Sequence, residues 1–343
     1  MHRTGSIIIA AACYALGCFI APHLSSAQNA SSAGSRTQPN IIVVLIDDMG
    51  WSDLSCFGGT HTKTENIDRL AAEGMRFHSY YVNAPICSPS RTALSTGMYP
   101  HRFRITSYLA ERQLNDERGT AQWLDPSAPM LARALQKSGY ATGHFGKWHM
   151  GGQRDVGEAP FIQEYGFDRS LTNFEGLGPR VLPLCDTFDG KPTKKHDLGS
   201  GSLGRGPIEW LERSKITTAY CDAALRFIDD SITAGKPFYI NLWPDDVHSP
   251  FFPSEEGRSK AGDKKRRCAL PVFSKMNFNA NKDRRASARR FRLRDNTILV
   301  MSDNGHEAGA GMSSRSAAAR RGCTKGHPIS ADRLGAQSSI AIG

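Results

Sequence analysis

Ile41 to Ile46 is an unbroken apolar run, mostly β-branched, and it stops abruptly at Asp47-Asp48. A run without polar alternation describes a strand covered on both faces, and such strands belong to parallel sheets flanked by helices. The rest of the chain repeats the theme. Thr64 can cap a helix with Ile67, Leu70 and Ala71 on one face and Gly74 as its stop, followed by a strand from Met75 to Val82. Ser127 opens a second helix with Leu131, Ala134 and Leu135 on one face, closed by Gly139, and Tyr140 to Phe145 returns as a strand. Thr218 to Ile232 reads as a helix with Ala224, Phe227 and Ile228 inward. It precedes the strand Phe238 to Trp243, and Thr297 to Met301 is the last convincing strand. This alternation predicts an α/β fold, a mainly parallel sheet with helices on both faces. Ligands of such sheets bind beyond the carboxyl ends of the strands. Three strands here end in polar clusters, Asp47-Asp48, Asp245-Asp246-Val247-His248 and Asp303-Asn304, which points to one shared site.

Composition limits what else the chain can be. Its 343 residues, 39% of them hydrophobic, suffice for one large α/β domain or two ordinary ones. Residues 1–27 read as an export signal: Arg3 in a positive start, the apolar run Ile7 to Ala21, then small residues at Ser25-Ser26-Ala27. The run is too short for a comfortable membrane span, so a secreted or periplasmic product is expected, with no membrane contact after cleavage. Residues 28–38 form a polar linker.

The net charge of +10 is confined to two segments. Residues 257–294 carry fourteen Lys or Arg against Asp263 and Asp283, and residues 313–343 carry five against Asp332, which leaves the body mildly acidic. The basic clusters lack interleaved aromatics, and the export signal places them away from DNA, so no nucleic acid is expected as a partner. After signal cleavage the cysteines are Cys56, Cys87, Cys185, Cys221, Cys268 and Cys323, with no CxxC pair and no zinc-ligand spacing.

The chemistry centres on Cys87-Ser88-Pro89-Ser90-Arg91, followed by Thr96-Gly97. Pro89 suits a first helical turn and Gly97 a helix end, so Cys87 should stand at a helix N-terminus. Free N–H groups and a positive dipole end there favour an anion such as sulfate. Lys147 and His149 lie downstream in Gly146-Lys147-Trp148-His149, and their alternation along an extended segment would turn both to one side. Two adjacent carboxylates at Asp47 and Asp48 are costly unless a cation neutralises them, although a helix cap or a solvated turn would also explain the pair.

The Cys-x-Pro-x-Arg motif with its Thr-Gly, the Asp-Asp at a strand end and the Gly-Lys-Trp-His segment together resemble the sulfatase family, within the alkaline-phosphatase-like superfamily. The resemblance covers residues 39–256, taken as the catalytic domain, with a further island at 295–312. It implies a sulfuric ester hydrolase acting on an aryl or carbohydrate sulfate ester, with sulfated polysaccharide among its substrates. It also implies that a maturation enzyme oxidises Cys87 to formylglycine. The hydrated aldehyde would present two hydroxyls, one to attack sulfur and one to lose its proton and expel sulfate.

By the same resemblance one Ca²⁺ is held by Asp47, Asp48, Asp303, Asn304 and modified Cys87, acting as a Lewis acid on a sulfate oxygen. Arg91 would steady the diol or the metal-binding carboxylates. Lys147 would contact sulfate, and His149 would act as base for sulfate elimination. His248 would protonate the leaving oxygen or steady the sulfate, and Lys325 would bind sulfate.

The chain departs from the family pattern in two places. Family members carry a helix between the regions of His248 and Asp303, replaced here by the basic, aperiodic 257–294. They also carry a C-terminal small domain, missing here, where residues 313–343 form an irregular tail without a strand pattern. Two abrupt entries into Arg-rich sequence are what reading-frame shifts would produce, and the sheet edge left open would be prone to aggregation. Two other readings use the same residues: a phosphate ester hydrolase of the same superfamily, and an inactive secreted sulfatase-like protein binding acidic polysaccharide.

Overall fold

The computed structural model describes residues 38–50, 53–60, 63–186, 189–245, 248–250, 252 and 296–303, and the backbone alone of 340–342. The expected export signal, almost all of the expected linker, the basic segment 257–294, Asn304, Lys325, Cys268 and Cys323 lie outside the described residues.

Strand β1 (Asn40–Ile46) is the axis of the sheet. It runs parallel to β8 (Phe238–Trp243) on one side and to β9 (Asn296–Ser302) on the other, with Val43 level with Asn241 and with Leu299. Beyond β8 come β3 (Ala141–Gly146) and the short β4 (Arg169–Leu171), both parallel. Beyond β9 comes β10 (Ile340–Ile342), antiparallel both to β9 and to β2 (Met75–Arg76). The sheet is therefore mainly parallel, in the order β2-β10-β9-β1-β8-β3-β4.

Period-two alternation divides the core into two layers. Ile42, Val44 and Ile46 of β1, Ile240 and Leu242 of β8 and Ile298 and Val300 of β9 face one side. There they meet helix α1 (Glu65–Glu73) through Ile67, Leu70 and Ala71, and helix α5 (Ile216–Thr233) through Tyr220, Ala224, Phe227 and Ile228. Val43, Leu45, Tyr239, Trp243 and Met301 face the other side, packed on Trp148, Tyr165 and Phe167. Each fully buried aliphatic side chain contributes on the order of 1.5–3 kcal/mol, and this double layer is why β1, β8 and β9 tolerate no polar alternation.

The main elements fall where the apolar pattern puts them, and four details differ. The strand expected from Met75 to Val82 is only Met75–Arg76, and Phe77 and Tyr81 beyond it are exposed, so no sheet neighbour extends it. The helix expected to open at Ser127 is α4 (Leu131–Lys137), because Pro129 and the turn at Asp125 hold the chain out of helical geometry until Met130. Its buried residue is Ala132, while Leu131 is 43% exposed, so the inward face is rotated from the one expected. Between β3 and α5, where the sequence pattern names no element, lies a second sheet: β5 (Arg180–Cys185) between antiparallel β6 (Lys194–Lys195) and parallel β7 (Ile208–Glu212). Finally, the tail does carry a strand, β10, too short at three residues to show a pattern, and it pairs the edge of β9 expected to be open.

The Cys-x-Pro-x-Arg motif forms helix α2 (Cys87–Thr96), closed by Gly97 in the left-handed region at φ 68. Helix α3 (Arg112–Glu117) follows. Cys56, Cys87, Cys185 and Cys221 are free thiols. Among the described residues no helix is long and apolar enough to cross a membrane.

Candidate active site

Cys87 opens α2 behind an extended Ile86 whose side chain provides no cap, so the first-turn N–H groups of the helix point at whatever stands before Cys87. The helix is fastened to the sheet by polar groups. Ser90 donates its hydroxyl to the carbonyl of Asp303 at 2.6 Å, and Ser88 accepts the N–H of Leu109 at 3.0 Å. These bonds set the N-terminus of α2 above the carboxyl ends of β1 and β9.

Arg91, one turn into the helix, is wholly buried. Its Nη2 donates to Asp47 Oδ1 at 2.9 Å and to Asp303 Oδ2 at 2.7 Å, and Nη1 donates to the carbonyl of Lys147 at 2.8 Å. The guanidinium also stands 5.2 Å from the centre of the Trp243 ring. One side chain thus ties together the ends of β1, β9 and β3. Burial opposes its charge, but Asp303 and Asp47 outweigh burial and drive its pKa up.

Lys147 follows β3 directly. Its Nζ donates to Asp47 Oδ2 at 2.7 Å and lies 3.1 Å from Glu175 Oε2. His149 lies two residues on, but the connection is not the extended segment expected: its backbone is left-handed at φ 55, an unusual position for a residue with a side chain. The twist still brings the two side chains to one place, because Nδ1 of His149 is 3.2 Å from the same Glu175 oxygen. Nε2 of His149 faces the carbonyl of Leu109 at 2.8 Å. A carbonyl only accepts, so the proton of the neutral ring is assigned to Nε2 and Nδ1 is the basic nitrogen. Burial, helped by the charges of Lys147 and Arg91, pushes the imidazole down to about 4 despite Glu175.

Glu175 was not among the residues singled out from sequence. It is a lone acid between Phe174 and Gly176 in an irregular loop, with no motif around it, and only the tertiary approach of that loop to His149 reveals it. His248, after β8, stands at the rim, 3.7 Å from Asp48 Oδ2 and 4.0 Å from Asp47 Oδ2, with its side chain 24% exposed. Its loop is held by Arg213, which donates to the Asp245 carbonyl, while Asn173 donates to the Asp245 carboxylate at 2.9 Å.

Asp47, Asp48 and Asp303 are buried and can each place an oxygen within 4.8 Å of the others. Four buried carboxyl groups, these three and Glu175, face two permanent cations, Arg91 and Lys147. Burial would raise Asp47, yet Lys147 and Arg91 hold it well below the ordinary carboxylate range. Burial and the charge of Asp47 instead push Asp303 well up, against the pull of Arg91. Either a proton or a cation must therefore balance the cluster, and an all-oxygen donor set suits a hard divalent ion. The structure brings Cys87, Arg91, Lys147, His149, Asp47, Asp48 and Asp303 together with His248 at the edge, whereas Asn304 and Lys325 lie outside the described residues.

This arrangement has counterparts. A family model described as Sulfatase matches residues 39–328. The N-acetylgalactosamine-6-sulfatase of Canis lupus familiaris is 31% identical over 242 residues, covering 69% of this chain and 45% of the relative. Arylsulfatase G of Homo sapiens is 30% identical over 227 residues, covering 62% and 42%. The chain therefore spans less than half the length of these curated relatives. Among solved structures, that of Ps i-CgsB in complex with k-i-k-neocarrahexaose superposes with a TM-score of 0.60 at 24% identity, covering 80% of this chain and 60% of the other, a likeness of fold. With more than half of its length matched by the family model, on the segment that carries the buried carboxylates and the Cys87 helix, the chain belongs to the sulfatase family.

Proposed function

We propose that the chain is a sulfuric ester hydrolase that releases sulfate from a carbohydrate or aryl sulfate ester, using formylglycine made from Cys87 and a bound Ca²⁺. The observation that carries the reading is the convergence of a buried Lys, a buried His and three buried carboxylates, braced by Arg91, on the N-terminus of the helix that begins at Cys87. Burial, together with the charges of Asp47, Glu175 and Asp303, pushes the Cys87 thiol up, so an unmodified thiol there is a poor nucleophile. Oxidised to a hydrated aldehyde, residue 87 supplies one hydroxyl to attack sulfur and a second whose deprotonation releases sulfate.

Asp47, Asp48 and Asp303 would hold the cation, with Asn304 and residue 87 completing its shell, and the ion supplies positive charge against the sulfate oxygens. Lys147 adds a second positive charge on the same side. Nδ1 of His149 takes up a proton, and His248 at the rim returns one to the departing alcohol oxygen. A maturation enzyme is the required partner, and the leader at 1–27 supports a secreted or periplasmic site of action. The relatives are named for sulfated N-acetylgalactosamine and aryl substrates, which supports a sulfated sugar as the natural class.

Co-expression with a formylglycine-generating enzyme, followed by mass analysis of the Cys87 peptide and parallel assays on 4-methylumbelliferyl sulfate and phosphate, tests the reading. An aldehyde at residue 87 with turnover of the sulfate ester is expected. Turnover of the phosphate alone, or an intact thiol with no turnover, would overturn it.

A further inference from the structure

Glu175 meets His149 twice. Its main-chain carbonyl accepts the His149 N–H at 2.7 Å, and its side-chain Oε2 lies 3.2 Å from the ring Nδ1. The first contact holds the backbone in its left-handed twist, and the second sets the ring beside a carboxylate. The same oxygen is 3.1 Å from Lys147 Nζ, so one acid fixes the spacing of the two basic groups.

Glu175 is itself held in place. Its N–H donates to Asn173 Oδ1 at 3.2 Å, and Asn173 reaches across to Asp245, on the loop of His248. Beside it, a Cβ on Gly176 would come 3.0 Å from Thr172 Oγ1 and 3.1 Å from Trp148 Cβ, so the loop is packed closely against the segment that carries His149.

The angle of the second contact matters as much as its length. Neither His149 Nδ1 nor Glu175 Oε2 completes a hydrogen bond, although both are buried and 3.2 Å apart. The carboxylate therefore stands off the axis of the Nδ1 lone pair. It leaves the basic position of the ring without a hydrogen-bond partner. It supplies the countercharge for the imidazolium that forms once a proton has arrived. With Nε2–H directed at the Leu109 carbonyl, the ring is held by a main-chain acceptor on one side and a fixed negative charge on the other.

We infer that Glu175 is a positioning residue for the sulfatase reaction: it fixes the ring of His149 and the ammonium of Lys147 and raises the basicity of His149 Nδ1 by its charge. The inference rests on the reading of His149 as the proton acceptor. The charged groups that act on the ring are Glu175, Lys147 and Arg91, and those that act on Glu175 are His149, Lys147, His248 and Asp47. Of these, Glu175 is the group whose charge favours a proton on His149, so its neutral isostere has a defined sign of effect.

The test uses the matured full chain and Glu175→Gln. For 4-methylumbelliferyl sulfate, kcat falls about 10- to 100-fold, the range usual for loss of a group that orients a ligand or base. KM stays within about twofold, and the acidic limb of the pH–kcat profile moves to lower pH as His149 becomes a weaker base. A residue that merely supported the loop would lower stability and leave that limb in place.

Ring-nitrogen NMR of ¹⁵N-histidine protein, with His149 assigned by difference against His149→Asn, decides the point without turnover. The wild type shows the Nε2–H form, and its protonation midpoint drops in Glu175→Gln. An Nδ1–H form in the wild type, which needs no variant to be observed, or an unmoved midpoint in a folded Glu175→Gln, overturns the inference. Wild-type protein that carries the aldehyde and still fails to cleave the sulfate sinks the functional reading instead, and the NMR comparison then judges Glu175 on its own.

Discussion

Arg91 in helix α2 and Arg180 in strand β5 are buried alike, at 0% and 1% exposure. Arg91, beneath the carboxyl ends of the main sheet, is held by the carboxylates of Asp47 and Asp303. Arg180, at the start of β5 in the three-stranded sheet, donates to main-chain carbonyls, to Ser200 at 2.6 Å and to Gly204, and to the Ser200 hydroxyl. Their acidities move apart accordingly. Carboxylates drive Arg91 up against the effect of burial, whereas burial lowers Arg180 with Asp197 as a partial counterweight. A cation solvated by carbonyls is a tie between loops. A cation held by carboxylates is part of a charge balance that other residues, and any bound ion, must complete.

Removing each guanidinium separates the two cases most clearly. Arg91→Met removes the cation between two buried carboxylates, leaving Asp303 without its ion pair, and should cost about 3–5 kcal/mol in urea unfolding, together with all turnover of an aryl sulfate. Arg180→Met forfeits bonds to neutral carbonyls, a loss of about 1–3 kcal/mol, with KM and kcat for the same ester near wild type. Equal losses in the two variants would show that the carboxylate cluster carries no special charge demand.

Ion binding sharpens the same contrast. Calcium at a hundred times its dissociation constant should stabilise the wild type by about 2.7 kcal/mol in thermal melts, and a chelator should remove the gain. Asp303→Asn should abolish this response, whereas Arg180→Met should keep it. A calcium response retained in full by Asp303→Asn would place the ion elsewhere.

The last effect, read as a slope in pH, concerns His144, walled in by the rings of Trp148, Phe167 and Trp243 just behind Arg91. Burial, with the charge of Arg91, pushes its imidazole down to about 3 from an ordinary 6.5. The folded protein thus refuses a proton that the unfolded chain accepts. The stability held above pH 6.5 is lost as pH falls through the window toward 3. His144→Phe should flatten the acid side of the stability profile by at most about 1.4 kcal/mol per pH unit, the value of one proton. An unchanged slope would mean that His144 is protonated in the fold.

Much of this architecture is legible in the chain. β1, β8 and β9 announce themselves because burial on both faces along most of their length favours runs of apolar residues, and Pro89 and Gly97 bracket α2 because each needs a particular backbone state. Glu175 and the three-stranded sheet are not legible, for a common reason. β6 is two exposed residues, β7 is partly exposed and β5 interrupts its apolar residues with Arg180 and Pro183, so their pattern is diluted, and Glu175 acquires meaning only when its loop folds over His149. The rotated face of α4 is a subtler case. A seven-residue helix samples two turns, too few for Leu131 and Ala132 to reveal which way it points.

The bond between Asp48 and Asp303 spans 255 positions, and β1 pairs along its whole length with β9. During synthesis the central strand must wait for a neighbour made very late. Until residues 296–303 leave the ribosome, one hydrogen-bonding flank of β1 is bare and Arg91 has lost half of its acidic clasp. Closing so long a loop is slow, and a bare flank invites pairing with other chains. Yield from cells should therefore respond to translation rate and chaperone supply more sharply than the stability of the finished protein suggests.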